Sequence, residues 1–195
     1  MASGFKYDLV PKVEMEERYD VQTGIRRRGA YRLDTKNLVD GSHLPSFTPV
    51  YANLKTKFAY PVRNVKVIEA YASGTFVKIA KNSLAYAGMF IGSGSKGAKV
   101  ASVDKSNGTY DVLTIVAEFG EAIAKDAVLF EAVAANGLKQ KYIANSALYE
   151  RKLVESGIVL VALLRTAAEI EPDKLVMPFS ENDKANLKGW FEFNE

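Results

Sequence analysis

A chain of 195 residues carrying 26 Lys and Arg against 23 Asp and Glu, net charge +3, has room for one full domain, or a smaller domain plus an extension, and not for two large ones. Its 48% hydrophobic and 25% charged residues exclude wholesale disorder and collagen-like repetition. The absence of cysteine excludes disulfides, thiolate nucleophiles and cysteine metal sites, and the single histidine, His43, cannot build a triad or a multi-histidine centre from this chain alone.

The first twenty residues are charged throughout and hold no apolar core of the secretory kind. The longest apolar run, residues 158–164, falls far short of the roughly 20 residues that cross a bilayer, so no membrane contact is expected. Residues 1–64 hold 11 Lys/Arg and 7 Asp/Glu, against 15 and 16 in residues 65–195, which puts the basic excess in the N-terminal third. Gly24, Gly29 and Gly41 interrupt any periodicity there, and residues 1–43 read as an extended N-terminal arm. Ordering a backbone costs roughly 1–2 kcal/mol per residue, so a weakly apolar arm is expected to need a partner to become ordered.

Within that arm, Arg26, Arg27 and Arg28 stand close to Tyr31 and Arg32, a gathering of guanidinium groups suited to phosphates or acidic protein surfaces. Glu16, Glu17, Asp20 and Asp34 flank the cluster and dilute its field, which favours an acidic protein surface over nucleic acid. Pro45 and Pro49 push their predecessors into extended conformations and Pro61 adds a third such point, so residues 44–64 read as a connector, with Phe47 and Tyr51 as contact anchors.

From Val65 the text changes to short β-branched and aromatic runs separated by turn residues, and residues 65–195 read as a compact β-rich domain, a barrel or a sandwich. Strands are expected at 65–70, 75–80, 89–92, 99–103, 110–116, 128–133 and 158–164, with Asn107-Gly108 as the clearest hairpin turn. Both faces of 110–116 are largely apolar, which predicts an interior strand. Ser180, acidic residues after it and Gly189 mark a short C-terminal helix, followed by an extended 190–193.

Residues 92–97 match GxGxxG, but the segment after them is short and β-like where a pyrophosphate needs a helix N-terminus, so a turn is expected. The stretch also misses the P-loop, because Ala98 and Lys99 stand where Lys and Ser or Thr are required. Glu118 with Glu121, and Glu169 with Glu171, read as solvated turn charges rather than a glycosidase pair, and the sequon at Asn107 reads as turn chemistry. These readings point to no enzyme and no cofactor.

Residues 44–70 (LPSFTPVYANLKTKFAYPVRNVKVIEA), 77–114 (VKIAKNSLAYAGMFIGSGSKGAKVASVDKSNGTYDVLT), 128–134 (VLFEAVA), 142–172 (YIANSALYERKLVESGIVLVALLRTAAEIEP) and 175–187 (LVMPFSENDKANL) resemble the head fibre and decoration proteins of tailed bacteriophages. The resemblance covers about residues 44–195 and rests on whole segments rather than on one motif. It implies a virion protein made in the host cytoplasm and bound to the outer surface of the capsid. It also implies a homotrimer touching the major capsid protein, with other head proteins as further partners and no catalytic residues. Residues 65–195 would then be the decoration domain, with Arg26, Arg27, Arg28, Tyr31, Arg32, Phe47 and Tyr51 as expected capsid or subunit contacts. No repeat of fixed period and no heptad seam encodes a long shaft, so a short cementing knob is favoured over a true fibre. Three other readings are a glycan- or host-binding module using residues 92–97, a nucleic-acid-binding head protein using Arg26, Arg27 and Arg28, and a carboxylate hydrolase.

Overall fold

The computed structural model describes residues 18–194. Its first five strands are β1 (Asp20–Arg26), β2 (Tyr31–Leu33), β3 (His43–Leu44), β4 (Pro49–Asn53) and β5 (Phe58–Pro61). Six more come after them: β6 (Asn64–Lys66), β7 (Phe76–Ala80), β8 (Phe90–Gly92), β9 (Gly97–Asp104), β10 (Tyr110–Ile115) and β11 (Val128–Glu131). The chain ends through β12 (Ser146–Leu148), β13 (Lys152–Leu153), β14 (Leu160–Val161), β15 (Leu163–Ile170), the helix α1 (Glu181–Leu187) and β16 (Phe191–Phe193). With 42% strand and 6% helix the protein is mainly β, as expected, and its sheets are curled half-barrels.

The larger sheet runs β1-β15-β12-β4-β5-β2-β14, with β16 alongside β15, and the other runs β6-β11-β8-β9-β10-β7. The six-stranded sheet is therefore an uninterrupted insertion, residues 64–131, between two halves of the larger one. The hydrophobic cores segregate in the same way. Residues 65–129, among them Ile79, Ile91, Val100 and Leu113, fill the inserted sheet, while Tyr31, Leu33, Leu148 and Leu163, and separately Phe47, Leu164 and Phe179, fill the larger body. The inserted sheet curls until Val67 bridges Ile79 and the Ile68 amide donates to the Lys78 carbonyl, so its two end strands meet at one point.

The first seventeen residues of the expected arm lie outside the described residues. Residues 20–61, expected as the rest of the arm and the connector, instead form five strands of the larger body. The apolar residues that looked too sparse for a core of their own are matched to the other end of the chain: β1 pairs β15 and β4 pairs β12. Ordering of this stretch thus comes from within the chain. Strand β10 is interior, flanked by β9 and β7, but one face alone is fully buried, and Asp111 lies on it, ion-paired with Lys81 Nζ at 2.8 Å and accepting from Ser83 Oγ. Residues 92–97 form a β8–β9 hairpin turn, as expected. Gly92 and Gly97 are required there because the Gly137 backbone lies against both, where a Cβ would collide.

The chain leaves the larger sheet at Arg63 and Asn64 and returns through Gln140 to Ala144, and both crossings are clamped by buried polar groups. At the first, the Arg63 guanidinium lies 3.2 Å from Glu131 Oε2, while Lys141 Nζ and the Tyr86 hydroxyl each approach Glu131 Oε1 at 2.8 Å. At the second, the fully buried Asp183 carboxylate accepts from Asn64 Nδ2 (2.7 Å), Gln140 Nε2 (3.0 Å), the Ala144 amide (2.7 Å) and the Ser180 amide (3.0 Å). The last of these is half of a capping box, with Ser180 Oγ accepting from the Asp183 amide, so the cap that starts α1 as predicted also holds the insertion.

Asp183→Asn puts an amide where four N–H donors converge, and is expected to cost about 3 kcal/mol of unfolding free energy in urea. Burial pushes the Glu131 carboxyl up, but the Lys141 hydrogen bond, the Arg63 charge and the Tyr86 hydrogen bond outweigh it and hold the group below its ordinary value. Its charge therefore stabilises the fold above the unfolded-state pKa, about 4.3, and that stabilisation fades as pH falls through the lower folded-state value. Glu131→Gln is expected to cost about 3 kcal/mol near neutral pH, with the gap to wild type shrinking in urea titrations at progressively lower pH.

Candidate docking surface

Strand β1 enters its pairing irregularly: Asp20 Oδ1 accepts from the Gln22 amide, Thr23 Oγ1 donates to the Asp20 carbonyl, and the register with β15 shifts on both sides of Ile25. The arginines come at its end. Arg27 is anchored, its amide donating to the Leu163 carbonyl, its Nε to Ser146 Oγ at 2.5 Å and a terminal nitrogen to the Asn145 carbonyl at 2.7 Å. Burial lowers the pKa of this guanidinium and the neighbouring Arg165 charge adds to that, against an opposing pull from Tyr31. Arg26 lies 5.0 Å over the Tyr149 ring, and Arg28 is exposed.

Two more cations join from distant segments. The turn between β4 and β5 is held by Asn53 Oδ1, which accepts from the Lys55 and Thr56 amides. It delivers Lys57 over the Tyr31 ring at 4.7 Å. From β15, Arg165 stacks on Trp190 at 4.5 Å, and Trp190 is fixed by its own amide on the Leu187 carbonyl and by its carbonyl under the Ala167 amide. Arg26, Arg27, Arg28, Lys57 and Arg165, with Tyr31, Leu54 and Trp190, line one open groove of about 570 Å³. Among the described residues no carboxylate lines it and none of the five cations forms an ion pair.

The structure thus brings together four of the seven expected contact residues, with Tyr31 itself 2% exposed beneath the groove. Arg32 and Tyr51 lie elsewhere. Arg32 points from β2 away from the buried Tyr31 and covers the Phe58 ring at 5.3 Å. From there the aromatic row continues through Tyr60, stacked on Tyr142 at 4.8 Å, to Tyr51, stacked on Tyr142 at 5.6 Å. Phe47 is 1% exposed, and its ring packs against Tyr19, Phe179 and Phe191 at 4.9–5.9 Å. Lys57, Arg165 and Trp190 carry no local signal in the sequence, since only strand pairing brings residues so far apart in the chain to one groove.

Other candidates have local roles. Glu121 accepts from the Ser93 and Ser95 hydroxyls, Glu118 from the Gly74 amide, and Glu171 pairs with Lys174, while Asn107 Oδ1 accepts from the Thr109 amide.

The fold and this groove define a β-sheet scaffold that presents a cation-lined surface. The family model of the head fiber protein of phages matches residues 1–192, so the chain belongs to the phage head fibre family and is a structural component of the phage head. No curated protein and no solved structure matches it.

Replacing the hydroxyl that anchors Arg27, Ser146→Ala, is expected to cost about 1 kcal/mol in thermal or urea unfolding, because Arg27 Nε loses its acceptor in a half-buried place.

Proposed function

We propose that this protein decorates the outside of the phage head as a homotrimer that docks on and cements major capsid subunits, with the cationic groove as its contact to an acidic protein surface. The observation that supports this most directly is the gathering of five cations from three distant chain segments around one groove in which no described residue supplies a carboxylate. Holding like charges together raises the free energy of the isolated protein, and an anionic partner relieves it. Arg32 and the half-buried Tyr51, on the separate aromatic row, contribute contacts between copies in this reading, since tyrosine and arginine are residue types enriched at interfaces.

Heads lacking the protein, mixed with purified chain, should bind it saturably and gain thermal stability. The double variant Arg26→Glu, Arg28→Glu should bind at least about tenfold more weakly, and wild-type binding should fall as salt rises. Unchanged affinity in that variant overturns the groove as the contact. Sedimentation of the free protein should give three times the chain mass, and a monomer at assembly concentrations overturns the trimer.

A further inference from the structure

The cationic groove does not stop at Trp190. Beyond the indole lies a second open groove of about 480 Å³, lined by Thr23, Thr166, Ala167, Ala168, Lys188, Gly189, Trp190, Phe191 and Glu192. Its walls are mainly apolar, and its charged members, Lys188 and Glu192, are one of each sign, so it carries no net charge of its own. Trp190 belongs to both grooves and is 50% exposed, with Arg165 stacked on its ring. Ile25, opposite Thr166 in the β1–β15 pairing, is also exposed and extends the apolar side. A surface with five cations at one end, none in an ion pair among the described residues, mainly apolar walls at the other and a half-exposed indole between them has two chemistries in a fixed order.

Resting on the reading of the cationic groove as a docking surface, we infer that the occupant is an extended peptide segment of the partner, acidic in one half and apolar in the other, which lies across Trp190. Charge complementarity selects the acidic half. The apolar half is required by the uncharged second groove and by the indole, whose exposed area is removed from water only if an apolar side chain covers it. A nucleic-acid strand fits this order poorly: it carries a phosphate at every step, so it would bring charge to the mainly apolar groove and to Glu192. A uniformly acidic tail leaves the indole and the apolar walls uncovered.

Trp190 is the only tryptophan in the chain, so tryptophan emission, excited selectively over the ten tyrosines, reports on this site alone. The full chain would be titrated with a synthetic peptide acidic in its first half and aliphatic in its second, with each half alone, and with an oligothymidylate of the same charge as the acidic half. The two-part peptide is expected to shift the Trp190 emission to the blue and to bind about tenfold or more tightly than either half. Arg28→Glu should weaken the two-part and the acidic peptides alike, and Trp190→Ala, followed by calorimetry, should erase the advantage of the two-part peptide. An acidic half that binds as tightly as the whole, an unmoved emission, or tighter binding of the oligothymidylate overturns the inference. Head binding lost in the Arg26, Arg28 variant together with equal affinity for whole and acidic peptides sinks this inference and leaves the docking reading standing. Two-part peptide binding without any binding to heads does the reverse.

Discussion

The Asp183 carboxylate, buried and receiving four N–H donors, is the constraint on which the rest of this structure leans. It closes the cap of α1, holds Asn64 at the point where the chain departs into the inserted sheet, and holds Gln140 and Ala144 where it comes back. A buried charge is tolerable only when its lone pairs are engaged, so these segments must be in place together or not at all. The Asn64 side chain has no freedom in the matter: both its amide hydrogens are committed, to Asp183 and to the Pro178 carbonyl. Next to it, the Arg63–Glu131–Lys141 cluster brings a second set of charges to the same seam, making the junction polar and geometrically specific where the two cores on either side are apolar and forgiving.

The groove depends on that specificity at one remove. Arg27, Lys57 and Arg165 come from the end of β1, a β4–β5 turn and β15, and each is aimed by a local device: a hydroxyl and a carbonyl for Arg27, an Asn53-held turn for Lys57, an indole for Arg165. These devices are short and neutral, so the cations are positioned without being neutralised. Arg26 rests on the Tyr149 ring, whereas Arg28 is exposed and adapts to what it meets. A surface with mostly pre-aimed charges and one adaptable one combines low ordering cost with tolerance of an irregular partner.

The inserted sheet was largely legible in the sequence because its strands are local. Strands β7 to β10 succeed one another with turns such as Asn107-Gly108 between them, and short runs of β-branched and aromatic residues mark them. The capped helix was equally legible, since Ser180 and Asp183 carry their own geometry. Strands β1 and β4 were not, because what makes them strands lies far along the chain: Asp20 faces Ala168, and Val50 faces Ser146. Glycines and prolines that suggest a loose arm, such as Gly24 and Pro49, sit at bulges and strand starts, where an extended backbone accepts them. The arginine cluster was visible as composition, but the cations and the indole that complete its groove are products of pairing, which no local pattern announces.

Because the six-stranded sheet begins and ends at one seam, on the paired strands β6 and β11, its two attachment points are only one strand spacing, about 5 Å, apart. Arg63 bonds to Glu131 through the backbone, and Glu131 in turn to Lys141. A pull on either end of the larger sheet therefore passes across that seam through Asp183 and Glu131 and leaves the loop of chain beyond it unstretched. The inserted sheet is thus shielded from load by the way it is tied in. For the same reason its outer turns other than 92–97, which Gly137 packs against, can change in length and composition, as exchangeable cargo on a fixed mount, so long as Arg63, Asn64, Glu131, Gln140 and Asp183 remain to close the knot.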